Sequence, residues 1–98
     1  SSNIKRQEIT KYKNDVSAIW RDISIEKVDN GYSINKIKPK SSFAKIGLKK
    51  GDIIKKINNK KLKTNKNVID MYKKLDTLSY IKLELIRDGE VRDIELNI

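Results

Sequence analysis

Two glycines four residues apart, Gly47 and Gly51, constrain this chain more than any other feature. They punctuate Ser41-Ser42-Phe43-Ala44-Lys45-Ile46-Gly47-Leu48-Lys49-Lys50-Gly51-Asp52-Ile53-Ile54. A serine can accept a hydrogen bond from the free N–H groups of a first helical turn, so the stretch opens as a helix. Gly47 sits where a short helix must stop, because glycine alone enters the left-handed conformation without strain. Leu48, just beyond, is placed to fold back and seal the helix end. Gly51-Asp52 then turns the chain into Ile53-Ile54, β-branched residues that suit a buried strand. The spacing predicts a helix over 42–46 and a strand over 52–57, an α+β arrangement in miniature.

The flanks extend it. Ile9, Tyr12, Val16 and Ile19 recur at helical spacing among Lys, Arg and Glu. Asn14-Asp15 interrupts them and can cap a fresh turn, which predicts helices over 3–13 and 15–21. Trp20 is the expected anchor of that pair. From Asp22 the period drops to two, with Ile23, Ile25 and Val28 on one side of a strand. Asp29-Asn30-Gly31 is a turn, and Tyr32-Ser33-Ile34-Asn35-Lys36-Ile37 alternates again up to Pro39. Asn58-Asn59 makes a tight turn, since asparagine tolerates positive φ. Thr64 or Asn65 can cap a long helix carrying Val68, Ile69, Met71, Tyr72 and Leu75, whose apolar residues span more than one face. Strands over 79–87 and 91–97 flank Arg87-Asp88-Gly89, a hairpin signal.

Ninety-eight residues make one domain. The expected fold is α+β, a small partly open β-barrel or sandwich with two covering helices. An N-terminal helical extension (1–21) packs on the body (22–98). The chain opens Ser1-Ser2 without Met, as expected of a fragment of something longer. It has no cysteine and no histidine, which removes thiol nucleophiles, disulfides, histidine triads and the usual zinc sites. Ser–Lys chemistry would need a buried, deprotonated lysine, while Ser41, Ser42 and Ser79 all stand in cap or turn contexts. No catalytic residue, metal or cofactor is expected. The net charge of +10 permits attraction to nucleic acid, anionic lipid or acidic protein, but the lysines are scattered rather than blocked. A solvated lysine surface is the expectation over a nucleic-acid site.

From Gly31 to Ile98, about two thirds of the chain, the order and punctuation resemble a bacterial PDZ domain. The resemblance rests on Gly31-Tyr32-Ser33-Ile34, on Ala44-x-x-Gly47-Leu48-x-x-Gly51-Asp52-Ile53-Ile54, on Ile57-Asn58-Asn59 and on Arg87-Asp88-Gly89. The lead-in Ile4-x-Arg6-x-Glu8-Ile9-x-Lys11-Tyr12, with a break at Asn14 and then Asn30-Gly31-Tyr32, is similar to the PDZ region of general secretion pathway protein C. That protein is the inner-membrane component of type II secretion systems.

The resemblance implies a peptide-binding module in which a partner's backbone adds to a sheet edge while pockets read alternate side chains. On this reading the accepting edge is Tyr32, Ser33, Ile34, Asn35 and Lys36. The loop at Gly31 acts as an anion nest for a C-terminal carboxylate, although Ser33 stands where the family's loop has glycine. Ile69 and Tyr72 face the groove from the opposite helix, and Val68, Met71 and Leu75 belong to the core. Tyr32 and Ile34 equally suit the core. Lys36 and Lys38 read either as guards against edge aggregation or as recognition of acidic partners. The implied setting is periplasmic, in a membrane-anchored protein whose anchor lies upstream. The implied partners are the periplasmic domain of the secretin, secreted substrates or other secretion components. The alternatives are a regulatory PDZ domain of a periplasmic protease that binds exposed C-termini and, less favoured, a basic nucleic-acid-binding domain.

Overall fold

A computed structural model describes residues 2–98. The elements in chain order are β1 (Ser2–Asn3), α1 (Arg6–Asn14), α2 (Val16–Asp22), β2 (Ile23–Val28), β3 (Gly31–Ile37) and α3 (Ser42–Lys45). They continue with β4 (Ile53–Ile57), β5 (Lys60–Lys61), α4 (Asn65–Lys74), a 3₁₀ turn (Leu75–Thr77), β6 (Tyr80–Arg87) and β7 (Glu90–Asn97). The sheet runs β1-β7-β6-β4-β3-β2, with β5 paired to β4 off that path. All pairs are antiparallel except β1 with β7. This is the small open sheet with covering helices that the order of strands and helices predicts.

Local chemistry accounts for the boundaries. The Ser41 hydroxyl accepts from the Ala44 N–H at 3.2 Å and starts α3. Gly47, at φ +106°, ends it, and Leu48 is buried in the core behind it. Thr64 and Asn67 form a reciprocal capping box at the start of α4. Asn58 (φ 49°) and Asn59 (φ 66°) take the predicted left-handed turn between β4 and β5. Asp88 and Gly89 do the same between β6 and β7. Ile34 and Leu85 are the largest wholly buried apolar side chains and mark the centre of the core.

Two expectations for the N-terminal segment need correction. The first helix begins at Arg6 rather than residue 3, because the chain ahead of it runs beside β7: Ser2 pairs with Leu96, and the Ile4 N–H donates to the Asn97 carbonyl at 3.0 Å. Trp20 is not the anchor of the helix pair. It is 50% exposed, while Ile9, Tyr12 and Ala18 are buried. At the predicted break, Asp15 caps α2 by accepting from the Ser17 N–H.

Candidate functional site

The position of each strand in the sheet decides which backbone is open to a visitor. β3 is paired on both sides. β2 runs along it from Ile23 against Ile37 to Val28 against Gly31, and β4 holds Tyr32 and Ser33 from the other side. The Ile34 N–H donates to the Asp52 carbonyl at 2.8 Å. β2, by contrast, ends the sheet, and no strand among the described residues pairs with its outer side. The free edge is therefore Ile23–Val28, one strand earlier than the sequence reading placed it.

That correction carries the predicted residues with it. Tyr32 and Ile34 are buried in the core, as their alternative reading allowed, and Ser33 is held in the ladder with β4. Asn35 and Lys36 are exposed but lie behind β2; Asn35 is the extra residue of a bulge opposite Ser24 and Ile25. Gly31 lies opposite Val28, at the far end of the hairpin from the start of β2, and packs against β4. A Cβ added there would lie 2.2 Å from the Ile54 carbonyl oxygen, so glycine is required for β3 and β4 to meet. Of the two helix residues, Ile69 is 52% exposed. Tyr72 is half-buried, with its hydroxyl donating to the Lys13 carbonyl.

Across from β2 stands α4. Between them lies a cavity of about 330 Å³, walled by Ile23 and Ile25 on the strand and by Val68, Ile69 and Tyr72 on the helix. Its lining is almost wholly apolar, and α2 closes one end with Ile19 and Trp20. Directly opposed residues in an antiparallel pair share a face. Lys27 lies opposite the buried Tyr32 and Ile25 opposite Ile34, so Ile23, Ile25 and Lys27 line the inner face of the edge strand. These are the residues that the sequence reading missed. The available signal was the charged Glu26-Lys27 pair within an apolar alternation, which marks an exposed edge.

The helices are fixed relative to the groove by a short set of polar contacts. The Tyr32 hydroxyl donates to Asn65 Oδ1 at 2.8 Å and ties β3 to the start of α4. At the other end of α4, Lys13 Nζ donates to the carbonyls of Tyr72 (3.4 Å) and Lys73 (3.2 Å) and lies 5.0 Å from the centre of the Tyr72 ring. A cation on the last carbonyls of a helix offsets the negative end of its dipole. Arg6 holds the carbonyls of Asp76 and Leu78 in the same way. The Tyr12 hydroxyl donates to Asp22 Oδ2 at 2.7 Å. Burial pushes the ionisation of Tyr12 above its usual range, and the Asp22 carboxylate pushes it further.

At the entry to β4 the Gly51-Asp52 turn is pinned by Arg87 at the end of β6. Arg87 makes two parallel bonds to the buried Asp52 carboxylate, Nε to Oδ1 at 2.8 Å and Nη2 to Oδ2 at 2.6 Å. It also donates to the Gly47 carbonyl at 2.7 Å. Burial alone would raise the Asp52 pKa, but the bonds from Arg87 and from the Lys49 N–H outweigh it and hold the carboxyl below its ordinary range. The pair is structural, since its acceptors are already satisfied within the fold. Among the described residues no cluster of acidic side chains is arranged to hold a metal, and no helix is long and apolar enough to cross a membrane.

Residues 22–98 match the family model of the PDZ domain. A comparison with curated proteins found no match. Several solved structures share the fold. The PDZ domain of EpsC from Vibrio cholerae, residues 204–305, superposes with a TM-score of 0.67 at 19% identity, covering 92% of this chain and 90% of that one. The PDZ domain of the pullulanase C protein of the type II secretion system from Klebsiella pneumoniae, in complex with fatty acid, gives 0.64 at 23%, covering 92% and 98%. The HtrA3 PDZ domain bound to a phage-derived ligand (FGRWV) gives 0.63 at 21%, covering 78% and 80%.

Proposed function

This chain belongs to the PDZ domain family, and from that membership we propose that it is a non-catalytic module that binds partners by accepting an extended peptide on β2. The observation that carries this is the unpaired outer edge of Ile23–Val28 facing α4 across an apolar cavity. A strand added there gains backbone hydrogen bonds from the edge, while its alternate side chains enter the cavity. Ile23 and Ile25 form the near wall, and Ile69 and Tyr72 the far one. The ligand bound to HtrA3 and the fatty acid bound to pullulanase C are a peptide and an apolar chain, the two chemistries that such a groove would suit.

The module works in the periplasm as part of a membrane-anchored component of a type II secretion system, contacting the secretin, other secretion components or exported substrates. Support for this setting comes from the helical lead-in. The EpsC and pullulanase C domains cover 92% of the chain, whereas the HtrA3 domain covers 78%. The extension therefore favours the secretion setting over the second reading, a regulatory PDZ domain of a periplasmic protease.

The test is an NMR titration of the ¹⁵N-labelled protein with extended peptides and with the N-terminal domain of a candidate secretin. Shifts concentrated on residues 23–28 and 65–75 are expected. Shifts confined to the lysine-bearing exterior, with β2 and α4 silent, would overturn the groove reading.

A further inference from the structure

The groove has two unlike ends. At the start of β2 there is no loop: Asp22 is the last residue of α2, and Ile23 the first of the strand. The Ile23 N–H is already taken, donating to the Ile19 carbonyl. A helix C-terminus presents carbonyls and carries partial negative charge. Asp22 adds its carboxylate there, held by the Tyr12 hydroxyl. The neighbouring cation, Arg21, is turned away, with Nη2 3.1 Å from Asp15 Oδ2 and Nη1 3.1 Å from Ser17 Oγ. Lys36 lies opposite Ser24 and so belongs to the other face of the sheet. A free C-terminal carboxylate needs a nest of N–H donors. At this end the Ile23 and Lys38 N–H groups are already bonded to the Ile19 and Asp22 carbonyls. The cation at the end of α4, Lys13, is engaged by the carbonyls of Tyr72 and Lys73 and by Asp76. An incoming carboxylate would therefore meet the Asp22 carboxylate without a free donor set.

The far end is cationic. Lys27 shares the groove face with Ile23 and Ile25, is exposed, and makes no ion pair among the described residues. Beside it begins α4, brought there by the bond from Tyr32 to Asn65, and a helix N-terminus carries partial positive charge. Lys63, just ahead of α4, is exposed as well.

We propose that the groove accepts an internal extended segment of a partner protein, laid antiparallel on β2, with alternating apolar residues over the cavity and acidic residues preceding them beside Lys27, and that it does not read a free C-terminus. This rests on the groove reading above. Antiparallel addition continues the β2–β3 pairing and is the more stable arrangement per residue. It runs the segment's later residues past Asp22 and out over α2, where a chain end would be repelled.

The test uses four fluorescein-labelled peptides, three of ten residues and one of seven, and anisotropy, with NMR shifts to locate each. The first is Glu-Glu-Ile-Ser-Val-Ser-Val-Gly-Gly-Ser, labelled on its N-terminal amine and amidated at its C-terminus. The second carries a free C-terminal carboxylate directly after the second Val. The third has the Glu pair moved to the other end, and the fourth has Gln in its place. The first peptide is expected to bind with shifts on β2 and α4. The second should bind no tighter, and the third and fourth about tenfold more weakly. Lys27→Glu should weaken the first peptide by a similar factor while leaving the amide spectrum of the core unchanged. If the free carboxylate tightens binding about tenfold or more, or if the position of the Glu pair makes no difference, this inference fails and the groove reading stands. If none of the four peptides perturbs β2 or α4, both fail.

Discussion

Asp52 shows how a single residue can hold a motif together from outside it. The turn glycines make the Gly51-Asp52 bend possible, but the bend is secured by Arg87, thirty-five positions later, through a bidentate bond to a carboxylate that is 1% exposed. Removing one partner of such a pair strands the other and typically costs about 3–5 kcal/mol. Arg87→Met should therefore lower the urea midpoint by an amount equivalent to that loss. The pH dependence has a definite sign. Because the folded carboxyl titrates below the unfolded one, its contribution is complete above the unfolded value, about 3.9, and disappears as pH falls through the folded value. Wild-type stability should decline from about pH 4 downward, and Asp52→Asn, weaker at neutral pH, should decline less steeply there. Gly31 gives a second test at this scale. An alanine Cβ would fall 2.2 Å from a backbone oxygen of β4, so the strands must part. Gly31→Ala should cost about 2–3 kcal/mol or more and should first accelerate hydrogen exchange along β3 and β4.

At the scale of elements, the helical extension is latched to the end of α4. Lys13 covers the Tyr72 ring and two terminal carbonyls, and Tyr72 returns a hydrogen bond to the Lys13 carbonyl. Tyr72→Phe should cost about 1 kcal/mol and Lys13→Met a comparable amount. In both variants the amides of α1 should lose protection ahead of those in β4 and β6, as hydrogen–deuterium exchange would register. The elements themselves were legible in the sequence because caps, turn residues and periodicity act within a few positions. Ser41, Asp15, Thr64, Gly47, Asn58-Asn59 and Asp88-Gly89 all fall where local chemistry puts them. The accepting edge was not legible. Whether β2 or β3 ends the sheet depends on where β4 pairs, a contact some twenty residues distant, and both strands show the same alternation. Gly31 added to the confusion, since a glycine needed for close strand approach and one needed for an anion nest look alike in a sequence. The Asp52–Arg87 pair and the exposure of Trp20 are likewise long-range outcomes. An aromatic residue at helical spacing shows that a stripe exists without showing which of its members the fold will cover.

The whole molecule adds a field that no single contact supplies. A net charge of +10 on 98 residues raises the local concentration of acidic ligands around the domain. The lysines are distributed over the surface of nearly every element, from Lys5 through Lys27, Lys45, Lys61 and Lys73, rather than gathered on one face. A duplex follows a protein best along a continuous basic track, whereas a diffuse field acts mainly on the approach of small acidic partners. Two measurements separate these cases. For the acidic decapeptide, stopped-flow association should slow about tenfold between low and physiological ionic strength, while dissociation changes much less, because steering acts on encounter and the apolar cavity on residence. For a generic DNA duplex, binding at physiological salt should be absent or no tighter than ordinary non-specific association, about 10⁻⁴–10⁻⁶ M. Submicromolar duplex affinity with a steep salt slope would instead make the charge a binding surface in its own right. In that case the open edge of β2 would no longer be the principal site of the domain.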